Sequence, residues 1–327
     1  MKIDFVKDRA IIAAARRIVS RVPFAWSLYE FYWSLRQVAE SKREWPCDKR
    51  ILDFGDYPDP SLSEPVSQLC TAEQMTGPLY REWCRKISSP ARFSRKQWEF
   101  VYIMQALHRA GMLLPGKMGV GFGCGREPLP GIFAKAGVNV LATDLAPSDA
   151  EGRGWIDTMQ HAASLGELYS ASRRIVDRQV FTERVSFQSV DMNAVPPELF
   201  GRFDFVWSAC ALEHLGSLQH GLDFIRNSAK CLKVGGVAVH TTEFNLSSDD
   251  ETVEHRDCSV YRKQDIKQLQ AALEKDGFSL APINLSVGRH SVDHHVDVPP
   301  YSMSPHIRLE LEQFVVTSIG LIVTRKS

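Results

Sequence analysis

The stretch GVGFGCGREPLPGIFAKAGVNVLATDL, residues 119–145, places four glycines at every second position and an aspartate, Asp144, nineteen residues after the last of them. The glycines fall between a predicted strand and a predicted helix. In a parallel sheet, ligands bind at the carboxyl ends of the strands, and glycine lets the backbone approach them without a Cβ in the way. Asp144 ends the next predicted strand, where a carboxylate can accept hydrogen bonds from ribose hydroxyls. The stretch therefore predicts a nucleotide-binding turn.

The spacing of the glycines indicates which kind of nucleotide would fit. A dinucleotide site requires G-x-G-x-x-G, whereas this chain has G-x-G-x-G followed by Arg126. Counting from Gly119 instead puts Cys124 where the third glycine belongs. No G-K-[ST] follows, so the loop is not a P-loop. The pattern favours a nucleoside without a pyrophosphate.

The sequence around this turn alternates strand-like and helix-like segments from Lys117 onward. Such alternation predicts an α/β fold: a Rossmann-like, doubly wound, mostly parallel seven-stranded sheet with helices on both faces. The last two predicted strands, near 278–285 and 313–325, have no clear helix between them. We expect them to pair antiparallel at one edge of the sheet.

The N-terminal part of the chain has a different composition and a different spacing of apolar residues. Residues 7–40 and 95–113 carry apolar residues at helical spacing, and residues 41–65 are rich in proline, aspartate and serine. We predict a helical N-terminal extension or lid over residues 1–110 and a catalytic domain over residues 111–327. The extension contains aromatic residues that we expect to pack against the catalytic domain, with a membrane interface or a stacked sugar as alternatives: Trp26, Tyr29, Tyr32 and Trp33.

Composition narrows the class of protein and its partners. The 39 basic residues equal the 39 acidic ones, so no net charge favours nucleic acid. The seven cysteines never form a CxxC pair, which is typical of a reducing compartment. No apolar stretch reaches the length of a membrane span, and the start of the chain has no signal-peptide pattern. We expect a soluble cytoplasmic protein with a small-molecule or glycan partner.

These motifs together resemble the class I S-adenosylmethionine-dependent methyltransferases over about residues 117–325. GFGCG resembles the family's G-x-G-x-G motif, and SVDMN stands where the family binds adenine. CLKVGGVAVH, residues 231–240, resembles the L-x-P-G-G turn before the fifth strand. The resemblance implies S-adenosyl-L-methionine as cofactor, S-adenosyl-L-homocysteine as product, and the following cofactor-binding residues: Gly121, Phe122, Gly123, Gly125, Asp144, Leu145, Asp191, Met192 and Ser208.

One position departs from the family pattern. The family commonly has an acidic residue two positions before the first glycine of the motif, and that position here is Gly119. The ammonium group of the cofactor then needs another partner. Carbonyl groups of the loop and Glu127 are the two alternatives.

Methyl transfer from a sulfonium is an in-line displacement in which positioning accounts for most of the rate. An alcohol acceptor also requires a general base. The resemblance places Glu213 and His214, after the fourth strand of the family fold, at the reaction centre. His240 and Glu243 would point into the substrate cleft, together with Asn245 as a substrate contact, if the fifth strand ends near Thr242. A packing role for His214 and a solvated loop carboxylate at Glu243 are the alternatives.

A third cluster lies in VGRHSVDHHVDVPPYSMSPH, residues 287–306. Its histidines and aspartates could hold a divalent metal, but their spacing matches no defined site, so we assign no metal ligand. We expect a substrate-facing loop instead, with His294, His295 and Tyr301 contacting the acceptor.

The remaining question is the acceptor. REPLP, HTTEFNLSS and the DVPPY ending resemble a bacterial group associated with surface-glycan or secondary-metabolite pathways. This resemblance implies an O-methyltransferase acting on a hydroxyl of a sugar or natural-product intermediate. The alternatives are an N-methyltransferase of a small amine, a NAD-dependent enzyme, which Arg126 disfavours, and a non-catalytic binding module.

Overall fold

The computed structural model describes residues 23–146 and 161–326. The predicted helical region before residue 23, and the first part of the helix predicted around residues 155–178, lie outside the described residues. No described helix is both long and apolar enough to span a bilayer.

Helices and strands alternate along most of the chain. The helices are α1 Pro23–Ser41, α2 Glu73–Thr76, α3 Pro78–Lys86, α4 Arg95–Arg109, α5 Leu129–Lys135, α6 Leu165–Ser172, α7 Arg178–Arg184, α8 Leu218–Ala229 and α9 Lys263–Lys275. The strands are β1 Ser67–Leu69, β2 Met118–Gly121, β3 Asn139–Asp144, β4 Val185–Ser189, β5 Phe203–Ala209, β6 Leu232–Asn245, β7 Glu254–His255, β8 Cys258–Ser259, β9 Phe278–Leu280, β10 Ile283–Asn284, β11 Val296–Asp297, β12 Arg308–Leu311 and β13 Phe314–Arg325.

The centre of the main sheet is parallel and doubly wound. Its strands follow the order β4-β3-β2-β5-β6, and each neighbouring pair runs parallel. The chain moves outward from β2 to β3 and β4 on one side, and to β5 and β6 on the other. The strand order therefore reverses beside β2, which is where open α/β sheets bind ligands. The predicted Rossmann-like, mostly parallel sheet is confirmed, but within the described residues it has eleven strands and not seven, because short strands pair around β13.

The C-terminal strand β13 is the antiparallel member of this sheet. It pairs with β6 from Val316↔Asn245 to Thr324↔Val237, and β9 pairs with it antiparallel, as the sequence predicts. It differs from the expectation in position, because it lies inside the sheet and not at its edge. β1 pairs with its other side, with Gln68 opposite Gly320. Its near-continuous apolar sequence is typical of an internal strand buried on both faces.

Helices cover both faces of the sheet. α4 packs on β5, β6 and β13, and α5 packs on β3 with α6 and α7 beside it. On the opposite face, α8 packs on β6 and contacts α9, which packs on β9. Two apolar clusters result, one under each layer of helices.

The segment before residue 110 is part of the same core. Tyr102 of α4 lies over Gly320 of β13, where a Cβ on the glycine would be 2.1 Å from the tyrosine ring. The Tyr102 hydroxyl donates to the carbonyl of Val66 at 2.6 Å. Residues on both sides of position 110 thus pack together around β13.

Helix α1 attaches to this core through its polar and aromatic residues. Trp33 is 1% exposed and packs with Tyr29, whereas Tyr32 is 44% exposed. Arg36 donates to the carbonyl of Ser304 at 2.8 Å, and Ser304 donates to Glu40 at 2.8 Å. One face of α1 is therefore fixed to the C-terminal half of the chain.

Candidate active site

A cavity of about 590 Å³ opens at the carboxyl ends of the central strands β2, β3, β4 and β5. Its walls come from the loops that follow these strands, from the start of α4 and from His306. The position agrees with the reversal of strand order beside β2.

The glycine loop forms one wall of this cavity. Gly123 and Gly125 have φ values of 60° and 50°, in the left-handed region that favours glycine. A Cβ on Gly123 would lie 2.7 Å from the Ala211 side chain. The amide of Cys124 donates to the carbonyl of Thr143 at 3.0 Å, which fixes the loop against β3.

Asp144, at the end of β3, holds the neighbouring loops in place. Its carboxylate accepts the backbone N–H groups of Leu145 at 2.8 Å, Gly125 at 3.0 Å and Ala162 at 3.1 Å. Burial raises the pKa of Asp144, and these three N–H groups oppose the shift. Asp144 and Leu145 both line the cavity. Asp144 is therefore both an organiser of the glycine loop and an acceptor facing the cavity.

Asp191 and Met192 line the cavity after β4. Asp191 caps a short 3₁₀ helix, Met192–Ala194, by accepting the N–H of Asn193 at 2.8 Å. The Met192 sulfur would lie 3.2 Å from a Cβ on Gly123. The predicted adenine-side residues and the glycine loop are thus neighbours in space.

Three other predicted cofactor residues lie behind the cavity wall and not on it. The space beside Gly121 is filled by Trp207, whose ring would be 2.2 Å from a Cβ. Phe122 is fully buried and packs edge-on against Phe224, with ring centroids 5.4 Å apart. Ser208 is hydrogen-bonded to His240 at 2.8 Å within the core. These residues support the loop from below.

His240 faces the core, which corrects the expectation that it points into the cleft. It is fully buried between Ser208 and Ser228, and burial lowers its pKa to about 3. β6 continues past Thr242 to Asn245, so His240 and Glu243 both lie within the strand. Because alternate residues of a strand face opposite sides, His240 points toward α8 while Glu243 points toward α4.

Glu127 supplies a carboxyl group beside the glycine loop. It is 7% exposed, lines the cavity and accepts the indole N–H of Trp207 at 2.6 Å. Burial raises its pKa to about 8. At Gly119, by contrast, a Cβ would lie 2.2 Å from the ring of Phe205. The chain has no room for an acidic side chain at position 119 and carries one at 127.

A cluster of buried charges occupies the other end of the cavity. Arg95 at the start of α4 forms an ion pair with Glu243 of β6, which links the N-terminal segment to the sheet. Burial raises the pKa of Glu243 to about 7, Arg95 opposes this, and the carboxylates of Glu213 and Glu99 add to it. Among the described residues, the second oxygen of Glu243, Oε2, has no hydrogen-bond partner. Glu243 is thus a buried carboxyl group with a raised pKa beside a cavity.

The neighbours of Glu243 are held by their own partners. Lys96 Nζ lies 3.1 Å from Glu99 Oε2 and donates to the carbonyl of Ala209 at 3.0 Å. Glu213 is 2% exposed and accepts the hydroxyl of Thr242 at 3.2 Å. His214 lines the cavity, with Nδ1 2.6 Å from the carbonyl oxygen of Asp257. The predicted pair Glu213 and His214 is therefore brought to the same cavity as Glu243.

One group of side chains could offer ligand atoms to a metal ion. It consists of Cys210, Glu213 and Glu243, whose potential ligand atoms lie within 4.8 Å of one another. Arg95 already pairs with the Glu243 carboxylate. Within residues 23–146 and 161–326, the histidine-rich segment brings no comparable group together.

Most of the histidine-rich segment lies away from the cavity. His295 packs on the ring of Trp45, with centroids 4.0 Å apart, and Tyr301 donates its hydroxyl to the carbonyl of Glu310 at 2.6 Å. His294 ends the 3₁₀ helix Ser291–His294. Asn245, also a predicted substrate contact, accepts the N–H of Ser247 at 2.8 Å and shapes the loop after β6. None of these four residues lines the cavity.

His306, at the end of that segment, does line the cavity. Its Nδ1 lies 2.6 Å from Oδ2 of the buried Asp297, which also accepts the N–H of Ser302 at 2.9 Å. The backbone N–H of Arg95 donates to the carbonyl of His306 at 2.9 Å. Both residues belong to the histidine-rich segment, but its sequence does not predict their place in the cavity, since only the fold brings residue 306 to the start of α4.

No protein-family model and no curated protein matches the chain. Many solved structures are similar in fold. One is magnesium protoporphyrin IX methyltransferase from Synechocystis PCC 6803 with bound SAH, at 14% identity and a TM-score of 0.41, covering 76% of this chain and 98% of that one. Another is 1,6-didemethyltoxoflavin-N1-methyltransferase from Burkholderia thailandensis, at 14% identity and a TM-score of 0.41, covering 68% and 76%.

The chain spans 60% and 54% of the length of two further neighbours, a protein from Galdieria sulphuraria and the CurJ carbon methyltransferase. Their TM-scores are 0.38 and 0.36, at 15% and 16% identity. Because identities and TM-scores are this low in all four comparisons, we infer no activity from them.

Proposed function

We propose that the protein is an S-adenosylmethionine-dependent methyltransferase that transfers a methyl group to a hydroxyl of a small molecule. The observation that carries this proposal is one cavity with two different ends. One end has a glycine loop, Asp144 and Asp191, which suit a nucleoside. The other end has Glu243 and His306, which suit removal of a proton.

The residues present fit this cofactor. Gly123 and Gly125 both have left-handed φ, so the backbone there can approach the methionine part, and at Gly123 a Cβ would lie only 2.7 Å from the Ala211 side chain. Asp144 would accept hydrogen bonds from the ribose, and Asp191 with the neighbouring Met192 would hold the adenine. Glu127 would pair with the ammonium group, in place of the acid that position 119 lacks.

When bound, the cofactor supplies an electrophilic methyl group on a sulfonium. The protein has to position the acceptor hydroxyl and receive its proton. Glu243 is our candidate for the general base, because its pKa of about 7 lets the carboxylate form at neutral pH and its Oε2 has no other partner among the described residues. Arg95 orients this carboxylate through their ion pair. Glu213 and His214 line the space beside it.

We infer that the acceptor is a sugar or natural-product intermediate. This finer assignment is supported by the resemblance of REPLP, HTTEFNLSS and DVPPY to a glycan and secondary-metabolite group. The polar residues at the acceptor end are compatible with a hydroxylated ligand.

The proposal is tested by calorimetric titration of the protein with S-adenosylmethionine, S-adenosylhomocysteine and NAD. We expect micromolar binding of the first two, no binding of NAD, and loss of binding in Asp144→Ala. The matched control is Asp177→Ala, an exposed residue that forms no side-chain cap and lies outside the cavity. Circular dichroism would establish that Asp144→Ala is folded.

Three results would overturn all or part of the proposal. Folded protein that binds neither S-adenosylmethionine nor S-adenosylhomocysteine would indicate a non-catalytic module. Binding of NAD instead would indicate a different enzyme class. If the Glu243→Gln variant still methylates amines, the cofactor assignment stands, but the acceptor is an amine and not a hydroxyl.

A further inference from the structure

A second cavity of about 640 Å³ lies next to the first and has a different chemical character. It is formed by α1, the connection between α3 and α4, the start of α5 and the end of α6. No acidic residue lines it among the described residues. Its basic lining residues define what we call the basic groove: Arg92, Lys96, Arg126, Arg173 and Arg174.

The cations of the basic groove are not equally engaged by the protein. Lys96 lies 3.1 Å from a Glu99 oxygen, and Arg126 lies 3.3 Å from a Glu167 oxygen. Arg173 and Arg174 follow α6, are exposed to solvent and form no ion pair within the described residues. Their charge is therefore available to a ligand in the groove.

An aromatic wall stands in the same groove. Trp26 and Tyr29 of α1 both line it, with ring centroids 6.1 Å apart. Tyr29 is 8% exposed, and its buried phenol oxygen has no hydrogen-bond partner among the described residues. A buried hydroxyl without a partner is unusual, and a ligand that hydrogen-bonds to it would relieve the penalty. Nearby ring faces could pack against an apolar or sugar-like part of the same ligand.

The basic groove is continuous with the candidate active site. Lys96, Phe100 and Arg126 line both cavities. A ligand can therefore lie with its charged part among the arginines and its other end beside Glu243. The two cavities together are large enough for a cofactor and one small acceptor.

We propose that the basic groove binds a phosphate group carried by the methyl acceptor. This inference rests on the proposed methyltransferase function and narrows its substrate class to phosphorylated small molecules. Guanidinium groups match the geometry and charge of phosphate and form strong, charge-assisted hydrogen bonds with it. The chain has no net charge overall, whereas the lining of the groove has five cations, two of which pair with the carboxylates of Glu99 and Glu167 outside the lining.

The test uses inorganic pyrophosphate as probe, titrated into the full chain at constant ionic strength in the presence of S-adenosylhomocysteine. The test variant is Arg173→Ala with Arg174→Ala, which leaves the residues of the candidate active site in place. The matched control is Arg81→Ala with Arg85→Ala, two exposed arginines of α3 outside both cavities. Affinity for S-adenosylhomocysteine is measured on every variant.

We expect saturable binding of one pyrophosphate, about tenfold weaker in the test variant and unchanged in the control. Absence of saturable binding, or equal weakening in the control, would overturn the inference. The inference would also be overturned if a ten-nucleotide single-stranded RNA bound more tightly than pyrophosphate and lost equal affinity in the test variant and in the control. Such a result would indicate a nucleic-acid surface. Pyrophosphate binding without any S-adenosylhomocysteine binding would overturn the methyltransferase proposal and leave only an anion site.

Discussion

At the scale of single residues, the departure at position 119 and the carboxyl group at position 127 have one physical explanation. Phe205 occupies the space that a side chain at 119 would need, and Trp207 occupies the space beside Gly121. The indole N–H of Trp207 then donates to Glu127. The large aromatic residues of β5 thus exclude an acid from β2 and hold another, Glu127, in the loop just before α5.

Removing the charge of Glu127 is expected to weaken cofactor binding. For Glu127→Gln we expect about 10- to 100-fold lower affinity for S-adenosylmethionine, the range for a lost charge-assisted hydrogen bond. Because the free carboxyl group has a pKa of about 8, pairing with an ammonium releases a proton, and affinity of the wild type should rise from pH 6 to pH 8. Calorimetry across this range checks both effects. The control is Glu167→Gln, which changes the exposed carboxylate that pairs with Arg126. An equal loss of affinity in this control would contradict the role of Glu127 in cofactor binding.

Glu127→Gln is also expected to change the way in which the stability of the fold depends on pH. In the folded protein without cofactor, the raised pKa of Glu127 keeps its carboxyl group protonated up to about pH 8, whereas in the unfolded chain it loses the proton near its ordinary pKa of 4.5. The folded state binds more protons in this window, so its stability falls as pH rises through it. Glu127→Gln removes this loss. We expect equal stability near pH 5 and a variant more stable by about 2–5 kcal/mol at pH 8.5.

Urea unfolding of both proteins at the two pH values measures this difference. Other titrating groups are common to both proteins and cancel in the comparison. A variant less stable than the wild type at pH 8.5 would mean that Glu127 is already ionised and paired in the free protein.

At the scale of elements, the order of strands and helices could be predicted from the sequence, but the faces of some residues could not. The alternation after Lys117 specifies a doubly wound sheet, and the glycine turn lies at its switch point. The sequence does not mark the end of β6, because its apolar run passes into polar residues gradually. A strand that continues to Asn245 sends His240 to the core and Glu243 to the cavity.

The short strand β1 and the pairing of distant residues carry no local signal. Ser67–Leu69 has three residues, and its place beside β13 depends on contacts across more than two hundred residues of sequence. The same holds for His306, which reaches the cavity only because its backbone pairs with the start of α4. Periodicity cannot reveal such contacts, since it reports only the face of an element.

The contact of α4 with β13 predicts a specific sensitivity at Gly320. An alanine there would place its Cβ within 2.1 Å of the Tyr102 ring, and Tyr102 is fully buried. We expect Gly320→Ala to lower the free energy of unfolding by about 1–3 kcal/mol through overpacking. Urea titration measures it. Gly77→Ala, where nothing lies within 4 Å and φ is −76°, is the control and should change stability little.

At the scale of the whole molecule, the cavity depends on both halves of the chain. Arg95 and Lys96 come from the segment before residue 110, Glu213 comes from the 3₁₀ turn after β5, and Glu243 comes from β6. The sequence predicts a helical extension or lid that ends near this boundary. The structure places Trp98 and Tyr102 of that segment, both fully buried, in the apolar cluster that includes Phe205 and Trp207 of β5.

This shared core leads to a prediction for the chain that begins at residue 111. Without α4, the face of the sheet formed by β5, β6 and β13 loses its cover, and Glu243 loses the cation that compensates it. A buried carboxylate without its partner and a large exposed apolar face both destabilise a fold. We expect residues 111–327 alone to unfold without a cooperative transition and to bind a hydrophobic dye. Adding residues 1–110 as a separate chain should restore a cooperative transition and S-adenosylhomocysteine binding. Cooperative folding and cofactor binding by residues 111–327 alone would instead establish the first 110 residues as a separable lid.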